Sequence, residues 1–346
     1  MTGVSALLCC LLLGFAVTEI FGGDDDDHEP GRDDPKDPHD PKPPVDPHDP
    51  YDPHDPHDPH DPEYPDEPHD PEYPDDPADG TDVLGTDGDD TLAGGLLDDY
   101  IAGYAGNDEL NGDDGNDYLD GGEGDDTLNG QKGDDQLQGM AGADILYGEG
   151  GNDELVGGEG DDEAYGDWDD DYVRGGPGND MLKGGAGEDA VDGEEGDDSV
   201  YGGLGMDTLL GGEGNDLLDG TLIIDPQGSD TDAADTLYGD VGDDVLLLGN
   251  GDEGTGGDGA DTFVYGTWTD GEAPTITDYV AADDQIIINY DETVTPNPDV
   301  TIETLMENGN EYSVVSVDGQ AVGRVLVNDG APALTVGEIA LVPVVW

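Results

Sequence analysis

From residue 85 onward the hydrophobic pattern has a period of nine, which matches neither a helix nor an alternating strand. Leu92, Ile101, Leu110, Leu119, Leu128, Leu137 and their successors to Leu218 put one apolar side chain at every ninth position, and only Ala164 among them is small. Between the aliphatics stand glycines and acids, as in Gly121-Gly122-Glu123-Gly124-Asp125-Asp126-Thr127-Leu128-Asn129. The unit G-G-x-G-x-D-x-(aliphatic)-x is written fifteen times without a gap between Gly85 and Asp219. A turn of about six residues and a strand of about three, with one inward aliphatic, cannot bury a core alone, so the copies must stack into a solenoid whose neighbours complete it. Two nonapeptides per coil predict an all-β fold, a right-handed parallel β-roll.

Each column has its own physical task. The first position is Gly in every copy and the fourth is Gly except at Leu97 and Asp169, as expected where a turn needs positive φ or backbones pass closely. The sixth is always Asp: Asp90, Asp99, Asp108, Asp117, Asp126, Asp135, Asp144, Asp153, Asp162, Asp171, Asp180, Asp189, Asp198, Asp207 and Asp216. Two later copies, 239–247 and 256–264, add Asp244 and Asp261, and the fifth position is usually Asp or Asn. Stacking at a strand spacing of about 4.8 Å brings these carboxylates into register along both edges. Unneutralised, such a ladder drives the coils apart. A hard cation that takes six or more oxygens at about 2.3–2.6 Å, from carboxylates and turn carbonyls together, removes the repulsion and ties consecutive coils. Several calcium ions are therefore expected as structural components, held by the sixth-position aspartates.

These residues resemble the RTX (repeats-in-toxin) hemolysin-type calcium-binding repeat. The resemblance implies that the sixth-position Asp binds calcium with its side chain while the glycine-rich turn supplies carbonyls. Departures at Leu97, Ala143, Ala164, Asp169 and Met206 bear on individual sites, not on the array. The last copy, Gly256 to Val264, is followed by Thr275-Ile276-Thr277-Asp278-Tyr279 and Asp284-Gln285-Ile286-Ile287-Ile288. That order is similar to serralysin-type RTX C-terminal regions, where it caps the roll.

Composition narrows the partners. Ninety Asp and Glu stand against 7 Lys and Arg, for a net charge of -83, and only 33% of residues are hydrophobic. An ordinary large core is excluded, and without a cation the composition reads as disorder. Nucleic acid is excluded too, since seven scattered cations make no basic patch. Cys9 and Cys10 are the only cysteines, so metal, not disulfide, is the staple of the folded part.

Four regions follow in order. Residues 1–23 hold an apolar segment, Val4 to Phe21, that is either a secretory signal or a membrane anchor. Residues 24–80 are an Asp-Pro-His-rich linker, disordered and extended by proline and like charge, which carries all seven histidines. A solvated spacer outweighs zinc or copper capture there. Residues 81–264 form the calcium-binding roll, interrupted from Gly220 to Ser229 by an insertion expected to loop out. Residues 265–346 form a β-rich cap: Val300 to Leu305, Tyr312 to Val317 and Ala321 to Val327 are strand-like runs separated by Asn308-Gly309 and Asp318-Gly319, which predict antiparallel hairpins. RTX proteins carry a type I secretion signal in this region, although the terminal Leu341-Val342-Pro343-Val344-Val345-Trp346 lacks its expected acidic residue.

No H-E-x-x-H, G-x-S-x-G or P-loop occurs, and with every histidine in the linker no Ser-His-Asp arrangement can form in the folded part. The reading is a noncatalytic calcium-binding protein, extracellular or at the cell surface, that folds on binding. An adhesin or matrix component binding a surface ligand or polysaccharide through the cap is the alternative, and an RTX-associated hydrolase or epimerase ranks third.

Overall fold

In the computed structural model each nonapeptide makes one strand and one tight corner. Residues 80–221, 233–266, 272–292, 296–327 and 334–344 are described; the apolar segment, the linker to residue 79 with its histidines, and most of the insertion lie outside the described residues. Strands such as Thr127–Lys132 and Gln136–Ala141 run from the seventh position of one copy to the third of the next. They are six residues long, twice the length the sequence predicts.

The extra length comes from a bend that keeps its pairing. Thr127, Leu128 and Asn129 pair with Ile145, Leu146 and Tyr147; Gly130 steps out; then Gln131 and Lys132 pair with Glu149 and Gly150. First-position glycines are required by close approach: a Cβ on Gly121 would lie 2.5 Å from the Asp126 carboxylate and 2.9 Å from the Gly139 carbonyl. The second position takes positive φ even when it is not glycine, as at Tyr104 (75°), Gln131 (77°) and Met140 (78°). Each such residue costs about 1–2 kcal/mol, sustained by the ladder on either side. The corner itself is the fourth position, with Gly124 at φ 138°.

Alternate strands go to opposite sheets, one of 14 strands and one of 12 among the described residues. Eighth-position side chains stack on their own kind in each sheet, Leu110 on Leu128 on Leu146 and Leu119 on Leu137 on Leu155. All are buried, most of them completely. Full burial of one such leucine contributes about 1.5–3 kcal/mol, and this double file is the core.

The ladder continues across the insertion, where Leu209 pairs with Leu237 and Leu218 with Leu246. One coil later Leu237 meets Gly254. Leu248 from the preceding corner fills that gap, fully buried, and a Cβ on Gly254 would lie 3.0 Å from both of its methyls.

The roll ends in mixed pairing. Val300–Glu307, Asn310–Val317 and Gln320–Leu326 form the expected antiparallel meander, with positive φ at Asn308, Gly309, Asp318 and Gly319 in its two turns. The meander nevertheless joins the roll in parallel, through Thr275–Ile276. In the other sheet Ile339–Val344 adds in parallel to Gln285–Asp291, a strand that the sequence pattern does not announce. Pro343 is accommodated there because the strand lies at the sheet edge. The 3-10 turn Val336–Glu338 precedes it, and no helix among the described residues is long and apolar enough to cross a membrane.

Candidate metal centre

Two ladders of Asp and Asn side chains run along the corners, and they point in opposite directions. In the inner ladder the backbone N–H of each sixth-position Asp donates to Oδ1 of the Asp 18 residues later: Asp108 to Asp126 at 2.7 Å, Asp126 to Asp144 at 2.7 Å, Asp144 to Asp162 at 2.8 Å. In the outer ladder the fifth-position N–H donates to the residue 18 earlier, Asp125 to Asn107 at 3.3 Å and Asp134 to Asn116 at 3.1 Å. Consecutive coils are thus stitched twice wherever the fifth position carries an acceptor.

The inner ladder is buried. From Asp108 through Asp261 the sixth-position aspartates are at most 4% exposed. Their Oδ1 atoms accept the ladder bonds, but Oδ2 has no hydrogen-bond partner in Asp108, Asp117, Asp126, Asp135, Asp144, Asp153, Asp162, Asp171, Asp180, Asp189, Asp198, Asp216 and Asp244. An ionised oxygen in that position is costly unless something positive meets it. Burial raises the carboxyls of Asp117, Asp126, Asp135, Asp144, Asp153, Asp162, Asp171, Asp180, Asp189, Asp198, Asp216, Asp244 and Asp261 above their ordinary range, with the ladder N–H acting the other way and neighbouring carboxylates adding to the rise. Asp117, Asp135, Asp189, Asp198 and Asp261 go up to about 6. Asp144, Asp153, Asp180 and Asp244 go up to about 7, and Asp171 to about 8.

The outer ladder solves its charge problem differently. Along one edge the fifth positions read Asp89, Asn107, Asp125, Ala143, Asp161, Asn179, Asp197, Asn215, and along the other Asp98, Asn116, Asp134, Asn152, Asp170. Asp and Asn alternate along most of both edges, broken by Ala143 on the first and by Glu188 after Asp170 on the second, so most of these carboxylates have an amide as a neighbour on an adjoining coil. Asn215 donates to Asp197 from both backbone N–H and side-chain amide, each at 2.9 Å, and these bonds hold the Asp197 carboxyl below its usual range. The alternation is visible in the sequence only at a period of eighteen.

The ends of the inner ladder are closed by particular residues. Asp90 is engaged at Oδ2 by the N–H of Thr86 at 2.7 Å and its hydroxyl at 2.8 Å, and Asp99 by the N–H and hydroxyl of Thr81. At the other end Asp284 accepts from Asp261 at 3.1 Å and from Val280 at 2.6 Å. Asp235 and Asp252, both buried, also stand in the ladder, since Asp207 donates to Asp235 and Asp235 to Asp252. The nonapeptide pattern misses Asp252 because Gly254 occupies its aliphatic slot; the Gly251-Asp252 pair is the remaining signal. A cleft of about 350 Å³ opens at the N-terminal end of one edge, lined by Thr81, Asp98, Asp117, Tyr118 and Asp134.

Among the described residues, no group of three or more His, Cys, Asp or Glu side chains gathers at one point. One sixth-position carboxylate per coil on each edge is the arrangement on offer. Buried carboxylate Oδ2 atoms without a hydrogen-bond partner are oxygen ligands of the kind a hard cation takes.

The profile of the RTX calcium-binding nonapeptide repeat matches overlapping stretches that together span 84–221 and 229–252. These stretches are RTX calcium-binding repeats. Calcium is accordingly the cation that these repeats imply. No curated protein matches the chain. Among solved structures, the crystal structure of extracellular lipase LipA from Serratia marcescens is similar at 14% identity, covering 75% of this chain, with a TM-score of 0.17. The chain spans 40% of that structure's length.

Proposed function

We propose that this chain is an extracellular calcium-binding structural module that folds as calcium binds and performs no catalysis. The observation that carries the reading is the in-register file of buried carboxylate oxygens without hydrogen-bond partners, at each sixth position from Asp108 through Asp198 and again at Asp216 and Asp244. Each coil of two repeats buries two aliphatics and two sixth-position carboxylates, so the roll is self-consistent only with the charge met. Ligands that exist in register only in the folded chain make binding free energy into folding free energy. Affinities in the range of extracellular calcium modules then leave the chain unfolded at cytosolic calcium and fold it outside the cell.

Calcium titration of the full chain followed by circular dichroism tests this. The β signal should rise cooperatively towards millimolar calcium, and its absence there would sink the reading. One observation favours the adhesin alternative: the meander's outer strand leaves Leu305 and Met306 exposed at a sheet edge. Loss of surface attachment on Met306→Asp, with calcium folding intact, is its signature.

A further inference from the structure

The corner formed by Asp167, Trp168, Asp169 and Asp170 departs from the array in a way that folding does not require. Asp169 is the one non-glycine fourth position among the described residues with positive φ (73°), and Asp167 beside it stands at 79°. The second position takes such a φ with many residues, but the fourth is glycine in the equivalent corner at Gly205, so Asp169 stands at a conformational cost. Between them Trp168 is 67% exposed. Its in-register neighbours on the two adjoining coils are Gly150 and Ala186, so neither row raises a side chain beyond a methyl beside the indole. Asp167, Asp169 and Asp170, its neighbours along the chain, are all exposed, and Asp170 accepts from the Glu188 N–H at 2.8 Å through one carboxylate oxygen. Glu149 and Lys183 face Asp167 from the neighbouring coils. In the same sheet the Lys183 ammonium lies between two rings, 5.2 Å from Tyr165 and 5.5 Å from Tyr201. The face thus already holds a cation on aromatic rings.

We propose that the Trp168 corner is a docking site for a basic segment of a partner protein, with a lysine or arginine side chain laid on the indole and flanked by Asp167, Asp169 and Asp170. Tryptophan is the strongest aromatic partner for such a cation. A net charge of -83 works against a second copy of this chain or any other acidic partner. A neutral ligand would make no use of the three exposed carboxylates near Trp168 in the chain. The site needs the roll folded and is indifferent to what folds it, so calcium-dependent circular dichroism on every variant separates failure of docking from failure of folding.

The test is fluorescence anisotropy of a labelled hexa-arginine peptide titrated with the full chain in calcium. Trp168→Ala should weaken binding about tenfold, the upper part of the range for a cation–π contact. Asp169→Gly should weaken it about threefold while raising the thermal midpoint, an opposition that mere loss of structure cannot produce. Leu96→Ala, at the same repeat position near the other end, should leave affinity unchanged. Equal affinity of wild type and Trp168→Ala would show that the peptide reads only diffuse charge and would overturn the proposal. Binding of cellohexaose that is lost in Trp168→Ala, with no effect of Trp168 on the peptide, would replace it with a glycan site.

Discussion

The repeat array and the closing region share two sheets but are held by different chemistry. Between Asp99 and Asp261 every coil buries aspartates beside its aliphatics. The closing region buries Ile276, Ile286, Ile288, Val315, Val317, Val322 and Val325, and its only buried polar residue among those described is Ser313. The difference teaches that a parallel roll with so thin an apolar file depends on a cation, whereas the meander stands on ordinary burial and two well-formed turns. Arg324 adds a local tie there, 2.7 Å from Glu307 and stacked 4.5 Å over Tyr312.

Removal of calcium should therefore break the comparison open with the largest effect. On chelation, amide protection should collapse across residues 100–261 and persist longer in Asn310–Val317 and Gln320–Leu326. Hydrogen exchange read by mass spectrometry checks this. Uniform loss over both regions would mean that the closing region has no stability of its own, and undiminished protection in the array would mean that the carboxylate file needs no cation.

Acidification sharpens the same contrast with opposite signs. In the calcium-free chain the buried carboxyls of Asp117, Asp144 and Asp171 have folded-state pKa values raised from 3.8 to about 6, 7 and 8. A group whose pKa is raised on folding binds more protons in the folded state, so its contribution is fully present below 3.8 and is lost as pH rises through 6 to 8. Lowering pH from 8 to 5 without calcium should thus increase β signal, in a window where exposed carboxylates stay ionised. With calcium present the same change should lower calcium affinity, because protons compete for the ligand oxygens. Matching signs in the two experiments would contradict the placement of the carboxylates.

Much of this was legible in the sequence, and the exceptions have physical causes. The nine-residue period predicted the file from Ile101 to Leu218 because stacked coils place like on like. Asn308-Gly309 and Asp318-Gly319 predicted the hairpins because few residues accept positive φ at both turn positions. Strand length was underestimated because Tyr104, Gln131 and Met140 occupy a bend that local preference reserves for glycine, and only the ladder on either side holds them there. Asp252 was missed because the residue filling its core slot, Leu248, comes from outside the repeat frame. The strand Ile339–Val344 was missed because its pairing partner is the roll, not its sequence neighbour.

Single core substitutions come next in size. Leu128→Asp puts a charge where exposure is zero and should cost about 3–5 kcal/mol in calcium, read as a fall in thermal midpoint. The adjacent Asn129 looks solvent-facing from the repeat alone, yet its amide donates to Glu149 at 3.2 Å. Asn129→Asp replaces that donor with a like charge and should cost about 1 kcal/mol. Equal midpoints for the two variants would mean that the eighth position is not the core.

The smallest effect expected is a gain, and it isolates the logic of the outer ladder. Ala143 stands where the alternation between Asp125 and Asp161 calls for Asn. Its N–H still donates to Asp125 at 3.1 Å, but its methyl offers nothing to the next coil. Ala143→Asn supplies an acceptor for the Asp161 N–H, as Asn107 does for Asp125, and an amide donor for a flanking carboxylate, as Asn215 does for Asp197. A gain of about 0.5–1 kcal/mol is expected at this exposed corner, or about 1–4 °C in thermal midpoint. Ala143→Asp supplies the same acceptor but places a third carboxylate in a row at about 4.8 Å spacing, so repulsion should cancel most of the gain. Equal stabilisation by Asn and Asp, unchanged by salt, would show that the alternation has no electrostatic role and that the outer ladder, like the inner one, relies on a cation.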